Sequence, residues 1–326
     1  MSDPRPPSAP SDDVAELLAA AQVSLNRHGE VLQTLGRIFA DGGHELYLVG
    51  GSVRDALLGR LGSDLDLTTD ARPEQMQTLL RGWADALWDT GIEFGTIGVG
   101  KGPPGNQHRL ELTTFRADTY DQISRNPDVR FGSNLADDLR RRDFTVNAMA
   151  VRIDADRPGG IGEFLDPLDG LAALRAGVLD TPSEPEVSFG DDPLRMLRAA
   201  RFVSQLGFSV APRVRRALEE MAPQLGRITA ERVAAELDKL LLGADPVAGI
   251  DLMVQTGLGA VVLPEIGEMR MAIDEHHQHK DVYQHSLTVL RQAIELEGAG
   301  SRGVERSDSG VDGGSPDLVL RWAALL

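Results

Sequence analysis

The sequence contains no cysteine, which excludes disulfides and thiolate-ligated zinc as sources of stability or chemistry. Nowhere does it hold about 18 consecutive apolar residues, so no segment reads as a transmembrane helix. Its opening, MSDPRPPSAPSDD, has no basic segment ahead of an apolar run and does not read as an export signal. Basic charge is scarce as well: 33 Lys and Arg stand against 50 Asp and Glu, for a formal net charge of -17. Taken over the whole chain, that balance opposes a nucleic-acid partner, because backbone binding relies on clustered Lys and Arg. These absences predict a cytoplasmic protein without a membrane partner.

What is present changes the picture locally. The chain has 326 residues, 41% of them hydrophobic, enough for two or three domains with buried cores. Residues 191–239 carry nine Lys and Arg against seven Asp and Glu, and Arg140, Arg141 and Arg142 form a separate basic run. An acidic protein can therefore still present a basic surface. Residues 1–13, rich in Pro, Ser and Asp, read as a disordered lead-in. Residues 14–170 read as an α/β head with a mixed sheet, 171–250 as an all-helical neck, and 251–326 as a partial helical body.

Within the head, helical periodicity over 14–39 stops at Asp41-Gly42-Gly43. The spacing then predicts a strand over 45–49 feeding the Gly50-Gly51 turn and a helix, a strand over 64–67, and a helix over 73–83. Two further strands, 96–99 and 109–114, flank a Gly- and Pro-containing loop. Beyond 170 the strand signal disappears. Helices are expected over 191–206, 212–221 and 230–242, with Pro212 and Pro246 in first turns, where no intrahelical N–H is needed. Residues 298–316 read as a loop. The apolar pattern of 318–326 predicts a helix that stops uncapped, as if the chain ended inside a domain.

Three elements could carry chemistry. In the first, Gly50-Gly51-Ser52-Val53-Arg54-Asp55 precedes Asp64-Leu65-Asp66, and strand periodicity puts both aspartates on one face. Two such carboxylates repel unless a cation lies between them, and hard Mg²⁺ prefers oxygen ligands. The glycines would let backbone N–H groups approach phosphates. A third carboxylate, Glu111, sits between Leu110 and Leu112 and points opposite to them, although taken alone it reads more readily as a solvated strand residue. The second element, Asp138 through Ala148, includes Arg142, Asp143, Thr145 and Asn147. Its arginines suit phosphate, and the smaller polar groups suit ribose or the orientation of those arginines. The third is a helix with Asp192 and Arg195 at i and i+3, continuing to Arg198 and Arg201; a plain helix ion pair is the alternative. Glu231 could brace it. Arg213, Arg215, Arg216 and Arg227 are candidate contacts to RNA phosphates.

In this order the elements resemble the class II CCA-adding tRNA nucleotidyltransferases and bacterial poly(A) polymerases. The resemblance runs from Gly50-Gly51-x-Val53-Arg54-Asp55 through Asp64-x-Asp66, Glu111-Leu112-Thr113-Thr114-Phe115-Arg116 and Arg141-Arg142-Asp143-Phe144-Thr145-x-Asn147-Ala148. It continues in Asp192-x-x-Arg195-x-Leu197-Arg198-Ala199-x-Arg201-Phe202 and Glu231-Arg232-Val233. It implies a polymerase-beta-like head in which Asp64, Asp66 and Glu111 bind two Mg²⁺ ions. Gly50, Gly51, Arg54, Arg142, Asp143 and Asn147 would hold the nucleotide, with Asp192, Arg195, Arg198 and Arg201 on the base-selecting helix. The implied substrates are CTP and ATP, and the implied partner is tRNA, with no DNA and no membrane; the oligomeric state stays open. Many relatives carry Glu-Asp where this chain has Asp191-Asp192.

Two other functions stay open: a poly(A) polymerase using ATP alone, and an inactive RNA-binding module. His285-Ser286-Leu287 resembles the start of an HD-type domain. The neighbouring His276, His277, His279 and Asp281 form no completed metal shell, so none is assigned.

Overall fold

The computed structural model describes residues 12–89, 91–103, 105, 107–115, 134–269, 282–303 and 316–326. The lead-in through Ser11, Arg116 and the tail residues His276, His277, His279 and Asp281 lie outside them. The chain divides into two compact units, Met1–Ala176 and Gly177–Leu326.

The first unit begins with α1 (Asp12–Asn26) and α2 (Gly29–Asp41), where one helix was expected. The second helix opens on a glycine at a close backbone contact. Gly29 lies so close to another backbone segment that a Cβ there would be 3.0 Å from the Gly159 Cα. Next come β1 (Leu46–Val49), α3 (Gly51–Leu57), β2 (Asp64–Thr69), α4 (Pro73–Leu80), β3 (Ala86–Trp88), β4 (Thr96–Lys101) and β5 (His108–Thr114). The unit closes with α5 (Leu135–Arg140), β6 (Ala150–Ile153), β7 (Ile161–Leu165) and α6 (Gly170–Ala176). Among the described residues the strands form one seven-stranded sheet in the order β3-β4-β5-β2-β1-β6-β7. Only the β2–β5 pair is parallel in this sheet. The mixed α/β head is thus as expected, but β3, β6 and β7 were not foreseen. Each has at most five residues, too short to show a clear period.

Alternation in the central strands separates an apolar side of the sheet from an acidic one. Leu65, Leu67, Leu110 and Leu112 are each at most 1% exposed and fill one side of β2 and β5. Asp64, Asp66 and Glu111 emerge on the other side. Burying the four leucines contributes roughly 1.5–3 kcal/mol apiece. A one-residue slip in register would invert both faces, so the leucines fix where the carboxylates point.

The second unit opens with β8 (Val178–Leu179), which pairs in parallel with β9 (Ser209–Val210), so the neck is not wholly helical. Its helices are α7 (Pro185–Asp191), α8 (Leu194–Leu206), α9 (Pro212–Met221), α10 (Ala230–Leu241), α11 (Pro246–Gln255), α12 (Leu258–Val262), α13 (Pro264–Glu268), α14 (Val282–Gly303) and α15 (Leu318–Leu325). Helices α10 and α11 pack on α8. Pro212 and Pro246 stand in first turns as expected. Two expectations fail. Helix α14 continues through Gly303, into the segment read as loop. Helix α8 begins at Leu194 instead of 191, because Pro193 lacks the N–H that would extend α7. Among the described residues no helix is long and apolar enough to cross a membrane.

Candidate active site

The register of the parallel pair brings the carboxylates together. Asp66 lies directly opposite Glu111, and Asp64 opposite Arg109. Asp66 keeps contact with solvent, yet it lies in a recess crowded by protein atoms. Desolvation there raises its carboxyl above the usual range, Arg142 offsets part of this, Glu111 adds to it, and Arg54 and Asp64 act as smaller opposing neighbours. Among the described residues no three His, Cys, Asp or Glu side chains are gathered as a ready-made metal shell. Asp64, Asp66 and Glu111 are all exposed, so the acidic face is open to solvent. That form suits Mg²⁺, which is commonly held by one or two carboxylates and completed by substrate phosphates and water.

Beside this platform β1 ends in the glycine turn. Gly50 has φ 66° and ψ -133°, a conformation that strains any residue with a Cβ. A Cβ there would also lie 2.6 Å from Nη1 of Arg142. Gly51 opens α3 within reach of the acidic face, since a Cβ on it would be 3.8 Å from Asp66 Oδ2. Ser52 ties the turn to β2 by accepting the Asp66 backbone N–H at 2.8 Å. No motif spacing marked that role for Ser52.

The arginine motif wraps the same corner. Asp143 Oδ1 accepts hydrogen bonds from the Phe144 N–H and from Asn147 Nδ2, both at 2.9 Å. Asn147 Oδ1 in turn accepts from Arg54 Nη1 at 2.7 Å. Arg54 donates its Nε and Nη2 to Asp55 at 3.0 and 2.9 Å. Asp143 and Asn147 therefore orient an arginine, one of the two roles expected of them, but that arginine is Arg54 from the preceding motif. Arg142 is steered separately, by Asp138 Oδ2 at 3.0 Å. Arg54, Asp143 and Asn147 are all buried, so their hydrogen bonds are made in a medium where an unmade bond is costly.

In the second unit, the helix pair expected of Asp192 and Arg195 is corrected. Asp192 is in extended backbone (φ -141°, ψ 99°) at the joint between α7 and α8. Its Oδ1 accepts the Leu194 N–H at 3.2 Å, and its Oδ2 pairs with Arg232 Nη2 at 3.1 Å. Arg195 Nη1 donates to Ser188 Oγ at 2.8 Å. Arg201 is buried against Glu236, 3.2 Å away, and stacks 4.4 Å from the Phe202 ring centre, so it braces α8 from within. Arg198 lies 5.7 Å from the same ring. The bracing expected of Glu231 falls instead to Arg232 and Glu236. Of the four candidate RNA arginines, Arg213 is held by Asp180 at 2.8 Å, Arg215 by Glu219 at 3.2 Å, and Arg227 by Gln224 at 3.3 Å. Arg216 is exposed. Arg232 stood in the Glu231-Arg232-Val233 stretch, but its pairing with Asp192, like that of Ser188 with Arg195, depends on contacts between helices and had no signal in sequence.

Residues 46–180 match the poly A polymerase head domain, and residues 207–269 match the probable RNA and SrmB-binding site of polymerase A. Over these two stretches the chain is similar to that polymerase family. The CCA-adding enzyme of Leuconostoc mesenteroides subsp. mesenteroides is 41% identical over 216 residues, which is 66% of this chain and 50% of that protein. The crystal structure of the Bacillus stearothermophilus CCA-adding enzyme in complex with CTP is similar at a TM-score of 0.62 and 33% identity, covering 83% of this chain and 63% of that one. A tRNA nucleotidyltransferase complexed with a primer tRNA and an incoming ATP analog is similar at 0.63 and 27%, covering 84% and 71%. The chain thus spans about half the length of the curated relative it matches.

In the head, Gly50 carries two separable constraints, its backbone conformation and its closeness to Arg142. Gly59 has φ 69° with open space around it and so carries only the first. Gly50→Ala is expected to lower unfolding free energy by about 1–3 kcal/mol and by more than Gly59→Ala. Urea denaturation of the two variants checks this. Equal losses would show that Arg142 moves aside without cost.

Proposed function

We propose that the chain adds C, C and A, from CTP and ATP, to the 3′ end of tRNA in the cytoplasm, releasing diphosphate at each step. The observation that carries this reading is the register of Asp66 against Glu111, with Asp64 on the same face and the Gly50-Gly51 turn alongside. The CCA-adding activity of the relatives supports it, as do the CTP and primer tRNA in the similar structures.

The donor set fits Mg²⁺: three carboxylates, all oxygen, on an open face whose own negative charges oppose the ionisation of Asp66. Asp64, Asp66 and Glu111 would supply its protein ligands, one or two at a time, with substrate phosphates and water completing the shell. Bound magnesium would make the RNA 3′-hydroxyl more acidic and offset charge on the triphosphate. The remaining work belongs to the protein. Backbone N–H groups at Gly50 and Gly51 suit phosphate oxygens. Arg142, steered by Asp138, and Arg54, fixed by Asn147 and Asp55, put positive charge beside the carboxylates before any substrate binds. Preorganised charge of this kind costs no rearrangement when charge develops during transfer.

Incubating the protein with CTP, ATP, Mg²⁺ and tRNA lacking its terminal CCA, then sequencing the product, tests the reaction. C, C and A in order is the expected outcome, and Asp66→Ala should abolish it. A tract of A would replace the reading with polyadenylation, and RNA affinity without incorporation would replace it with an inactive binding module.

Base selection is proposed for Asp192 and Arg195. Cytosine and adenine each present an amino donor beside a ring-nitrogen acceptor, which a carboxylate and a guanidinium can satisfy with one polarity. Uracil and guanine reverse that polarity and would leave desolvated groups unpaired, at about 1–3 kcal/mol per group. Because Asp192 also holds Arg232, its loss has a structural component that would affect all nucleotides alike. Asp192→Ala is therefore expected to narrow the ratio of kcat/KM between CTP and UTP, and between ATP and GTP, roughly 5- to 150-fold. Equal losses for all four nucleotides would reject the base-reading role.

A further inference from the structure

The carboxylate face extends past β5 onto a strip without side chains. Gly98 lies opposite Glu111, and Gly100 opposite Arg109, so β4 presents two bare positions beside the platform. Trp88, on the edge strand β3, lies opposite Gly98, and its indole fills the space there: a Cβ on Gly98 would collide with the indole nitrogen. One row across the sheet therefore reads Trp88, Gly98, Glu111, Asp66. The exposed guanidinium of Arg109 lies 5.7 Å from the centre of the Trp88 ring. A half-buried aromatic and an exposed planar cation thus stand side by side next to the acidic face.

We propose that Trp88 and Arg109 form a stacking platform for the terminal base of the RNA strand being extended. The proposal rests on the nucleotidyl-transfer reading and assigns the side of the sheet from which that strand enters. Sheet order puts β1 and its glycine turn on one flank of the carboxylate strands and β4 and β3 on the other. In an in-line displacement the attacking oxygen and the departing diphosphate stand on opposite sides of the phosphorus. With the triphosphate at the Gly50-Gly51 turn, the attacking end belongs on the flank of Trp88 and Arg109. Single-stranded RNA is commonly held by what this flank offers, since bases stack on aromatic rings and on arginine planes whatever their identity. A purely structural cation–π pair is the alternative, and it predicts a change in stability with no selective change in ligand binding.

The full chain can be titrated with a short fluorescent single-stranded RNA ending in C-C and, separately, with CTP and Mg²⁺. Arg109→Ala and Trp88→Ala are each expected to weaken RNA binding roughly tenfold, while CTP affinity changes by less than about twofold. Trp88→Phe, which keeps an aromatic ring, should retain most of the RNA affinity. Thermal melts report whether each variant is folded, and Arg109, being exposed, provides a variant that does not disturb the core. RNA affinity unchanged in Arg109→Ala, or equal losses for RNA and CTP, would overturn the platform. Wild type that binds RNA through these residues but incorporates nothing with Mg²⁺ would refute the proposed reaction and leave the platform standing.

Discussion

The head depends on repulsion between carboxylates that the sheet holds in register. Asp66 and Glu111 lie opposite each other across the parallel β2–β5 pair, and the register fixes where both side chains start. Their strands are pinned from beneath by Leu65, Leu67, Leu110 and Leu112, so hydrophobic burial maintains an arrangement that electrostatics alone would disperse. The Asp66 carboxyl is raised chiefly by desolvation, Arg142 offsets part of that, and repulsion from Glu111 and, less, Asp64 adds to it. A cation relieves that repulsion, which is why the arrangement reads as a metal platform.

The surrounding polar groups answer to the same constraint. Arg54 and Arg142 partly compensate the acidic face, and each is itself held by a carboxylate, Asp55 and Asp138. Arg54 is buried and needs such a partner, because an unpaired buried charge costs several kcal/mol, whereas Arg142 is half-buried. Gly50 lacks a side chain where Arg142 must pass, and Gly98 lacks one where Trp88 must lie. The side-chain space given up by these glycines is taken by Arg142 on one flank of the carboxylates and by Trp88 on the other.

Much of this was legible in the residues. The apolar–acidic alternation of 64–67 and 110–112 showed which side chains share a face, and the glycine pair showed where backbone comes close to a ligand. Pairing between distant strands was not legible, since periodicity gives the face of a strand and not its neighbour. The same limit hid Trp88 beside Glu111, which depends on two successive registers across β4. Local pattern also misplaced Asp192: the charge spacing fitted a helix, but Pro193 ends α7 and leaves Asp192 in an extended joint. Ser188 comes from α7 and Arg232 and Glu236 from α10, and although Arg232 stood in a recognisable stretch, no single stretch of sequence shows which residue each one pairs with.

The central claim, that these carboxylates exist to hold cations, is tested most directly by counting bound metal. Mn²⁺ can stand in for Mg²⁺ and be titrated by electron paramagnetic resonance in the presence of CTP. The account predicts about two ions per wild-type chain and the loss of at least one in Asp66→Asn, with CTP still able to bind. The same number of ions, held equally tightly, in wild type and Asp66→Asn would contradict it.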